Sequence, residues 1–506
     1  MIRYLLGAIL LCSGISKAGG ESVPAALVER HWFEARTAHF HIYSCGATQE
    51  VAKLSARLEQ FRDAYAHLAG SNAVASPPIV VLAFPDHEAM VPFLPLYQDK
   101  PVNLAAFFHR GSDENLIVLA LATSSSSTME IIFHEYTHLL LRHNDQIWPL
   151  WLKEGMAEIY ATFEPFGRGA RIGKPIAHHL RLLAKEPLMP LAELFGVDHD
   201  SPQYNEREHQ GMFYAESWLL THCLMSGVNP AHKARFGQLT VLLRLGQTPE
   251  QAFTNAFHTT LPAMEAELRR YLEHGQFESL PLMVNADLSA PRSFATHGIT
   301  TVETCFRLGD ELVRIDRLDA AEPYFLHARK LAPASPLPFE GLGLIAAQRH
   351  KSEEAVHLLK ESFQRGSTNF LSYYVSAHER LKLTSNSPDT YTTVKKEVAT
   401  EIRAELQKSV ALMPDFGPAH HMLGFFELVQ GEDPKAAEEH LKRAIQLEPE
   451  NQWYLLSLAQ AQMVGKNFDA ARRTLESLRL PYIEAKLRSH AEELIKEIGH
   501  PAARQP

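Results

Sequence analysis

The residues His134-Glu135-Tyr136-Thr137-His138 set two imidazoles four positions apart around a carboxylate. On a helix, positions i and i+4 share a face one turn apart, the separation that two zinc ligands need. Glu135 lies about 100° round the same helix, where a carboxylate reaches a water at the metal without ligating it. By itself this pattern also arises as two core histidines and a surface glutamate. A second segment follows sixteen residues after His138: Trp151-Leu152-Lys153-Glu154-Gly155-Met156-Ala157-Glu158. Glu154 would supply the third ligand of a His2Glu set and leave a fourth position open. Glu158, one turn further on, shares that face and would orient a ligand histidine. The competing reading makes both glutamates surface carboxylates of an amphipathic helix, but Trp148 and Trp151 beside them argue against full exposure. The expectation is one Zn(2+) per chain, held by His134, His138 and Glu154, with Glu135 as general base.

Two lesser candidates follow. Tyr214, within Phe213-Tyr214-Ala215-Glu216-Ser217-Trp218, would bind an oxyanion if it reached the metal; otherwise it is a core tyrosine. His178-His179 reads as a solvated pair on a helix. The sequence contains no Ser-His-Asp set, no Gly-rich phosphate loop and no second metal motif.

The elements that must position these residues begin with a mixed α/β stretch over 30–122. His39 to Tyr43 alternates as a strand, and Gln49 to Leu68 has helical periodicity. Ile79 to Phe84, bracketed by prolines, predicts a buried strand, and Leu104–Phe108 and Asn115–Ala122 predict two more. The last of these precedes the HExxH helix. Helices are predicted near 128–142, 150–163, 173–185, 210–227, 230–245 and 261–274. Gly275 to Thr300 carries no clear period and predicts a boundary. Beyond residue 302 a spacing of about 34 residues sets in: Gly309 and Gly343, Ala321 and Ala355, Ala437 and Ala471. Pro333 and Pro449 follow second helices. About five paired-helix units are predicted, one with a polar insertion at Thr384–Thr393, and then a capping helix near 482–498.

HEYTH followed by WLKEGMAE resembles the gluzincin metallopeptidases, most closely the peptidase-MA-like group, over residues 30–275. The 34-residue register resembles the tetratricopeptide repeat. The first resemblance implies that His134, His138 and Glu154 bind zinc and that Glu135 is the base. It also implies an α/β zincin-like domain with a small mixed sheet, the strand Asn115–Ala122 lying at the edge of the cleft, where an extended peptide can pair with it. The second implies an all-α solenoid with a concave surface for a protein partner. Together they divide the chain into a signal peptide (1–18), a metallopeptidase-like domain (19–280), a linker (281–301) and a repeat domain (302–499), the two domains being expected to fold separately.

The chain has 506 residues, of which 45% are hydrophobic and 21% charged, and this excludes a disordered or fibrous protein. A formal net charge of −10 without any polybasic run gives no footprint of nucleic-acid binding. Met1-Ile2-Arg3-Tyr4, an apolar run to Ile15 and the small residues around Ala18 read as a secretory signal peptide, so a periplasmic or secreted protein is expected. No later stretch is long and apolar enough to predict a membrane span. Of four cysteines, three would remain after cleavage, too few for a disulfide scaffold. The function expected is a zinc-dependent metallopeptidase, an endopeptidase, acting on a peptide or protein substrate while its repeats hold a protein partner. Two alternatives stand beside it: an inactive peptidase-like protein that works as a repeat binding module, and a zinc hydrolase of non-peptide material.

Overall fold

The computed structural model describes residues 25–69, 79–111, 113–123, 126–141, 148–198, 201–205, 207–226, 229–284, 288, 294–384, 394–480 and 483–499. The expected signal segment 1–18, with Cys12, and most of the predicted insertion (385–393) lie outside the described residues.

The chain opens with α1 (Ala25–Val28), β1 (Phe33–Arg36), β2 (Phe40–Ser44), the long α2 (Thr48–Ala69) and β3 (Ile79–Phe84). Next come α3 (His87–Met90), the small pair β4 (Leu96–Tyr97) and β5 (Lys100–Pro101), then β6 (Ala106–Arg110) and β7 (Asn115–Ala120). A helical stretch follows: α4 (Ser126–Leu141), α5 (Leu150–Ala161), a hairpin of β8 (Glu164–Phe166) and β9 (Gly169–Ile172), then α6 (Ala177–Leu183), α7 (Leu191–Gly196) and α8 (Pro202–Asn205). It continues with α9 (Arg207–Ser226), α10 (Pro230–Arg244), α11 (Pro249–Phe257) and α12 (Leu261–His274), before β10 (Leu280–Met283) and β11 (Ala295–Gly298).

Six strands form one sheet in the order β11-β1-β2-β3-β7-β6. β2, β3 and β7 run parallel, while β1, β6 and β11 are antiparallel to their neighbours. β3 and β7 are buried along their whole length because the sheet is covered on both faces. Ile79, Val81, Ala83, Ile117 and Leu119 point into a core shared with α2, α4 and α5. Their alternates Val80, Leu82, Phe84, Leu116 and Val118 point the other way, into a core shared with Leu308, Leu312 and Phe325. The strand expected at the cleft edge, Asn115–Ala122, is therefore an inner strand. Among the described residues the sheet ends on this side at β6, which turns back antiparallel beside β7, and on the other side at β11.

From residue 301 the chain is helical. Five antiparallel pairs follow one another: α13 (Thr301–Arg314) with α14 (Leu318–Leu331), α15 (Leu337–Gln348) with α16 (Ser352–Gln364), α17 (Phe370–Thr384) with α18 (Lys396–Leu412), α19 (Gly417–Val429) with α20 (Pro434–Leu447), and α21 (Trp453–Val464) with α22 (Phe468–Ser477). α23 (Ala485–Gly499) closes the array. The small residues at 34-residue spacing sit where paired helices touch. A Cβ added at Gly309 would stand 2.7 Å from the Phe325 ring, and one at Gly343 the same distance from Leu359. Ala321, Ala355, Ala437 and Ala471 are fully buried. Thr300 starts the array with a capping box, accepting from the Glu303 N–H while its own N–H donates to the Glu303 carboxylate at 2.7 Å.

The segment expected as a linker carries structure at both ends. β10 pairs with β9, and β11 zips along β1 with Phe33 opposite Gly298. The reason is that the sheet's second face and its β1 edge need covering, and the first repeat together with the strand leading into it supplies that cover. A polar clamp reinforces the contact. Arg314 of α13 donates to both Asp113 oxygens, at 3.0 and 2.6 Å, in the turn between β6 and β7. The same guanidinium lies 3.1 Å from Glu114 and 2.9 Å from Asp310.

Cys45, Cys223 and Cys305 are all free thiols. Among the described residues no helix is long and apolar enough to cross a membrane.

Candidate metal centre

α4 is apolar on most of its surface. Ile132, Phe133, Tyr136, Leu139 and Leu140 are buried in the core under the sheet, with Phe133 stacked on Phe61 of α2 at 4.5 Å. This packing leaves one strip of the helix turned towards α5, and His134 and His138 occupy it. α5 in turn lies against α9 at close range. A Cβ at Gly155 would collide with Thr221 and stand 2.5 Å from the Ser217 carbonyl, and Ala157 is fully buried. The small residues between the two glutamates of the EGMAE segment thus let α5 approach α9, and that approach fixes where Glu154 and Glu158 emerge.

His134, His138 and Glu154 converge. The two imidazole Nε2 atoms are 3.1 Å apart, and Glu154 Oε2 lies 3.4 Å from that of His134 and 3.2 Å from that of His138. Ligands of a tetrahedral zinc at about 2.0–2.1 Å stand about 3.3 Å from one another, so these three atoms outline one face of such a tetrahedron. Glu154 is 2% exposed, and its Oε2 has no hydrogen-bond partner although two imidazoles face it. A buried carboxylate oxygen that faces two imidazole nitrogens without a hydrogen bond of good geometry is costly unless a cation sits among them. The donor set, two imidazoles and one carboxylate, is the chemistry zinc takes in hydrolytic sites. The residues present fit the metal.

The surroundings pull positive charge inwards. Burial works against a charged His134, yet the Glu158 carboxylate and the contacts with Glu154 and Glu158 outweigh it and raise its pKa well above the ordinary value. Burial would also raise Glu154, but His138 and His134 hold it far below the carboxylate range. Glu158 is likewise lowered, to about 2, because His134 and His179 outweigh its desolvation. Glu158, expected to orient a ligand histidine, has Oε1 3.3 Å from His134 Nδ1, the nitrogen facing away from the convergence point.

Glu135 is half-buried beside His134, and its charge acts on Tyr204. The Tyr214 ring centroid lies 6.1 Å from that of His134. Two residues went unrecognised in the sequence. Tyr204 of α8 lies 6.2 Å from Tyr214, ring to ring. Burial, followed by the charge of Glu154, pushes its hydroxyl well up. Nothing in its local sequence marks it. The other is His179. His178 is exposed as expected of a solvated pair, but His179 is buried, with Nε2 3.0 Å from Glu158 Oε2. The available signal was its spacing from Ile176 and Leu183, which places it on the apolar face of α6.

A second group, Cys223, His232 and Glu267, also draws together. Asn229 caps α10 by accepting from the Ala231 N–H, which turns its amide nitrogen to His232 Nε2 at 3.1 Å. The His232 proton then sits on Nδ1, facing Glu267 at 3.6 Å, and that nitrogen has no lone pair to offer a metal.

The tetratricopeptide-repeat family model matches residues 428–482, from the end of α19 to just beyond α22. Among solved structures, YrrB, a tetratricopeptide-repeat protein whose structure is described as having an unusual peptide-binding site, is 16% identical and covers 38% of this chain and 91% of its own, with a TM-score of 0.31. A thermophilic repeat protein of Thermus thermophilus is 21% identical, covers 38% of this chain and 99% of its own, and has a TM-score of 0.29. The APC/C hetero-tetramer Cut9-Hcn1 is 13% identical over 74% of this chain and 70% of its own, with a TM-score of 0.30. No curated protein matches the chain. Residues 428–482 thus match the tetratricopeptide repeat, within a C-terminal array of paired helices that follows an N-terminal region built on a mixed sheet.

Proposed function

We propose that the N-terminal region is a zinc-dependent peptidase, exported to the periplasm or beyond, and that the repeats hold a protein partner or the substrate itself. The observation that carries the reading is the convergence of His134, His138 and Glu154 on one point, with the buried Glu154 Oε2 lacking a hydrogen-bond partner. A zinc ion bound there would act as a Lewis acid and make a water nucleophilic near neutral pH. Glu135 takes the proton from the attacking water and passes it to the leaving nitrogen. Tyr214 donates to the oxygen that gains charge, with Tyr204 beside it. Glu158 holds the His134 ring so that Nε2 keeps its lone pair. The edge strand β6, beside α4, would offer backbone groups to an extended substrate.

The repeat match favours a second reading, a binding module whose sheet region has only a structural task. The two separate in one experiment on the mature full chain. Wild type, Glu135→Gln and His138→Ala are compared for zinc content and for turnover of casein. The peptidase reading expects one zinc in wild type and in Glu135→Gln, loss of most zinc in His138→Ala, and turnover lower by several orders of magnitude in both variants. Stoichiometric zinc without turnover of any peptide would leave the binding module, and equal zinc in wild type and His138→Ala would remove the metal centre altogether.

A further inference from the structure

Beyond the ligands and Glu158, we propose that His179 is a positioning residue of the metal centre, acting on His134 through Glu158. The inference rests on the zinc reading above and deepens it. The geometry is a relay of three side chains from three helices. His179 Nε2 lies 3.0 Å from Glu158 Oε2, and Glu158 Oε1 lies 3.3 Å from His134 Nδ1. An ionised carboxylate only accepts, so each imidazole must turn an N–H towards it. For His134 this puts the proton on Nδ1 and leaves the Nε2 lone pair at the point where His138 and Glu154 converge.

A carboxylate held at one oxygen only can rotate away, and the ring it orients rotates with it. Held at both, Glu158 is fixed, and it carries the position of α6 into the ligand set. His179 is suited to be the fixed end. Its side chain is 2% exposed, and its ring lies 6.2 Å from that of the fully buried Trp218. Both ring nitrogens are buried and neither completes a hydrogen bond, Nε2 facing Glu158 only as a close ion-pair contact, a cost that a simple packing role would not require of a histidine. A leucine or phenylalanine would fill the same space without stranding a polar atom. What the imidazole supplies that they cannot is the donor aimed at Glu158.

The test measures zinc affinity of the full chain by competition with a chromogenic chelator, and melting of the metal-free protein, for wild type, His179→Phe and His179→Gln. The amide nitrogen of glutamine reproduces a donor near the Nε2 position; phenylalanine keeps the volume and removes the donor. Affinity should fall about 10- to 100-fold in His179→Phe, as losses in the shell behind a metal ligand typically do, and return most of the way in His179→Gln. In a Glu158→Gln background, His179→Phe should have no further effect on affinity, because the path through Glu158 is already cut. A purely structural His179 predicts the opposite pattern: both variants melt lower when metal-free, and the affinity of whatever folds is unchanged. Unchanged affinity in His179→Phe overturns the proposal, as does an equal further loss in the Glu158→Gln background. Should His179→Phe fail to fold, the His179→Gln and Glu158→Gln affinities decide, since the proposal requires the first to stay near wild type and the second to fall. A wild-type chain that takes up no zinc would instead overturn the metal reading, and this proposal with it.

Discussion

At the scale of single residues, the buried histidines divide by what their partners ask of them. His134 is drawn towards the charged form by glutamates, whereas His222 is kept neutral. His222 Nε2 lies 2.8 Å from the Gly173 carbonyl and Nδ1 lies 2.7 Å from the Tyr271 hydroxyl, and burial pushes its pKa down to about 4. In the unfolded chain the same ring titrates near 6.5. As pH falls from about 6.5 towards 4, the unfolded state takes up a proton that the folded state refuses, so stability present above 6.5 is lost through that window. The upper bound is roughly 3 kcal/mol at one unit per 1.36 kcal/mol. Urea midpoints at about pH 7, 5.5 and 4.5 should fall less steeply in His222→Gln than in wild type; parallel slopes would show that His222 does not carry the effect. The convergence of His134, His138 and Glu154 was legible in the sequence because i, i+4 spacing and a following glutamate are local facts. His179 was not, because two adjacent histidines give no local sign of which one faces inwards.

At the scale of elements, the centre depends on how closely α5 lies against α9. Gly155→Ala is expected to push these helices apart, since the new methyl group meets Thr221 and the Ser217 carbonyl rather than a yielding side chain. Overpacking of this kind costs about 1–3 kcal/mol. Because Glu154 is the preceding residue, zinc affinity should fall together with thermal stability. Full affinity in a destabilised Gly155→Ala protein would mean that Glu154 is placed by something other than this contact. The helices of the centre were predictable from their periodicity, and so were β3 and β7 from their continuous apolar runs. Which strand stands at the edge was not. A run such as Asn115–Ala120 reads as buried wherever it lies, and the order of strands is set by pairing with residues far away in sequence. The β8–β9 hairpin and α11 were also missed: the first has strands of only three and four residues, and the second follows α10 after only a brief turn.

At the scale of the whole molecule, the two regions share one sheet as a common wall. Arg314 is the charged centre of that contact, and its replacement by alanine would leave Asp113, Glu114 and Asp310 grouped without their cation. Breaking a buried pair from one side costs about 3–5 kcal/mol. Denaturation of Arg314→Ala should show a drop of that order; a change below about 1 kcal/mol would mean the contact is held by its apolar part alone. The repeat register was legible because it recurs, and the sheet class because its strands are apolar. Their union was not, since an apolar strand face does not say whose side chains will cover it. The pairing of β1 with β11 also has a consequence in time. Residues 33–36 leave the ribosome early, and their outer partner, residues 295–298, comes last of all the sheet's strands. Until then the growing chain exposes a sheet margin open to wrong partners, and its closure waits on non-local contacts, the slow kind in folding. The sheet thus stays incomplete until residue 298 has been made, and the first repeat helices, which cover its second face, follow directly in the chain.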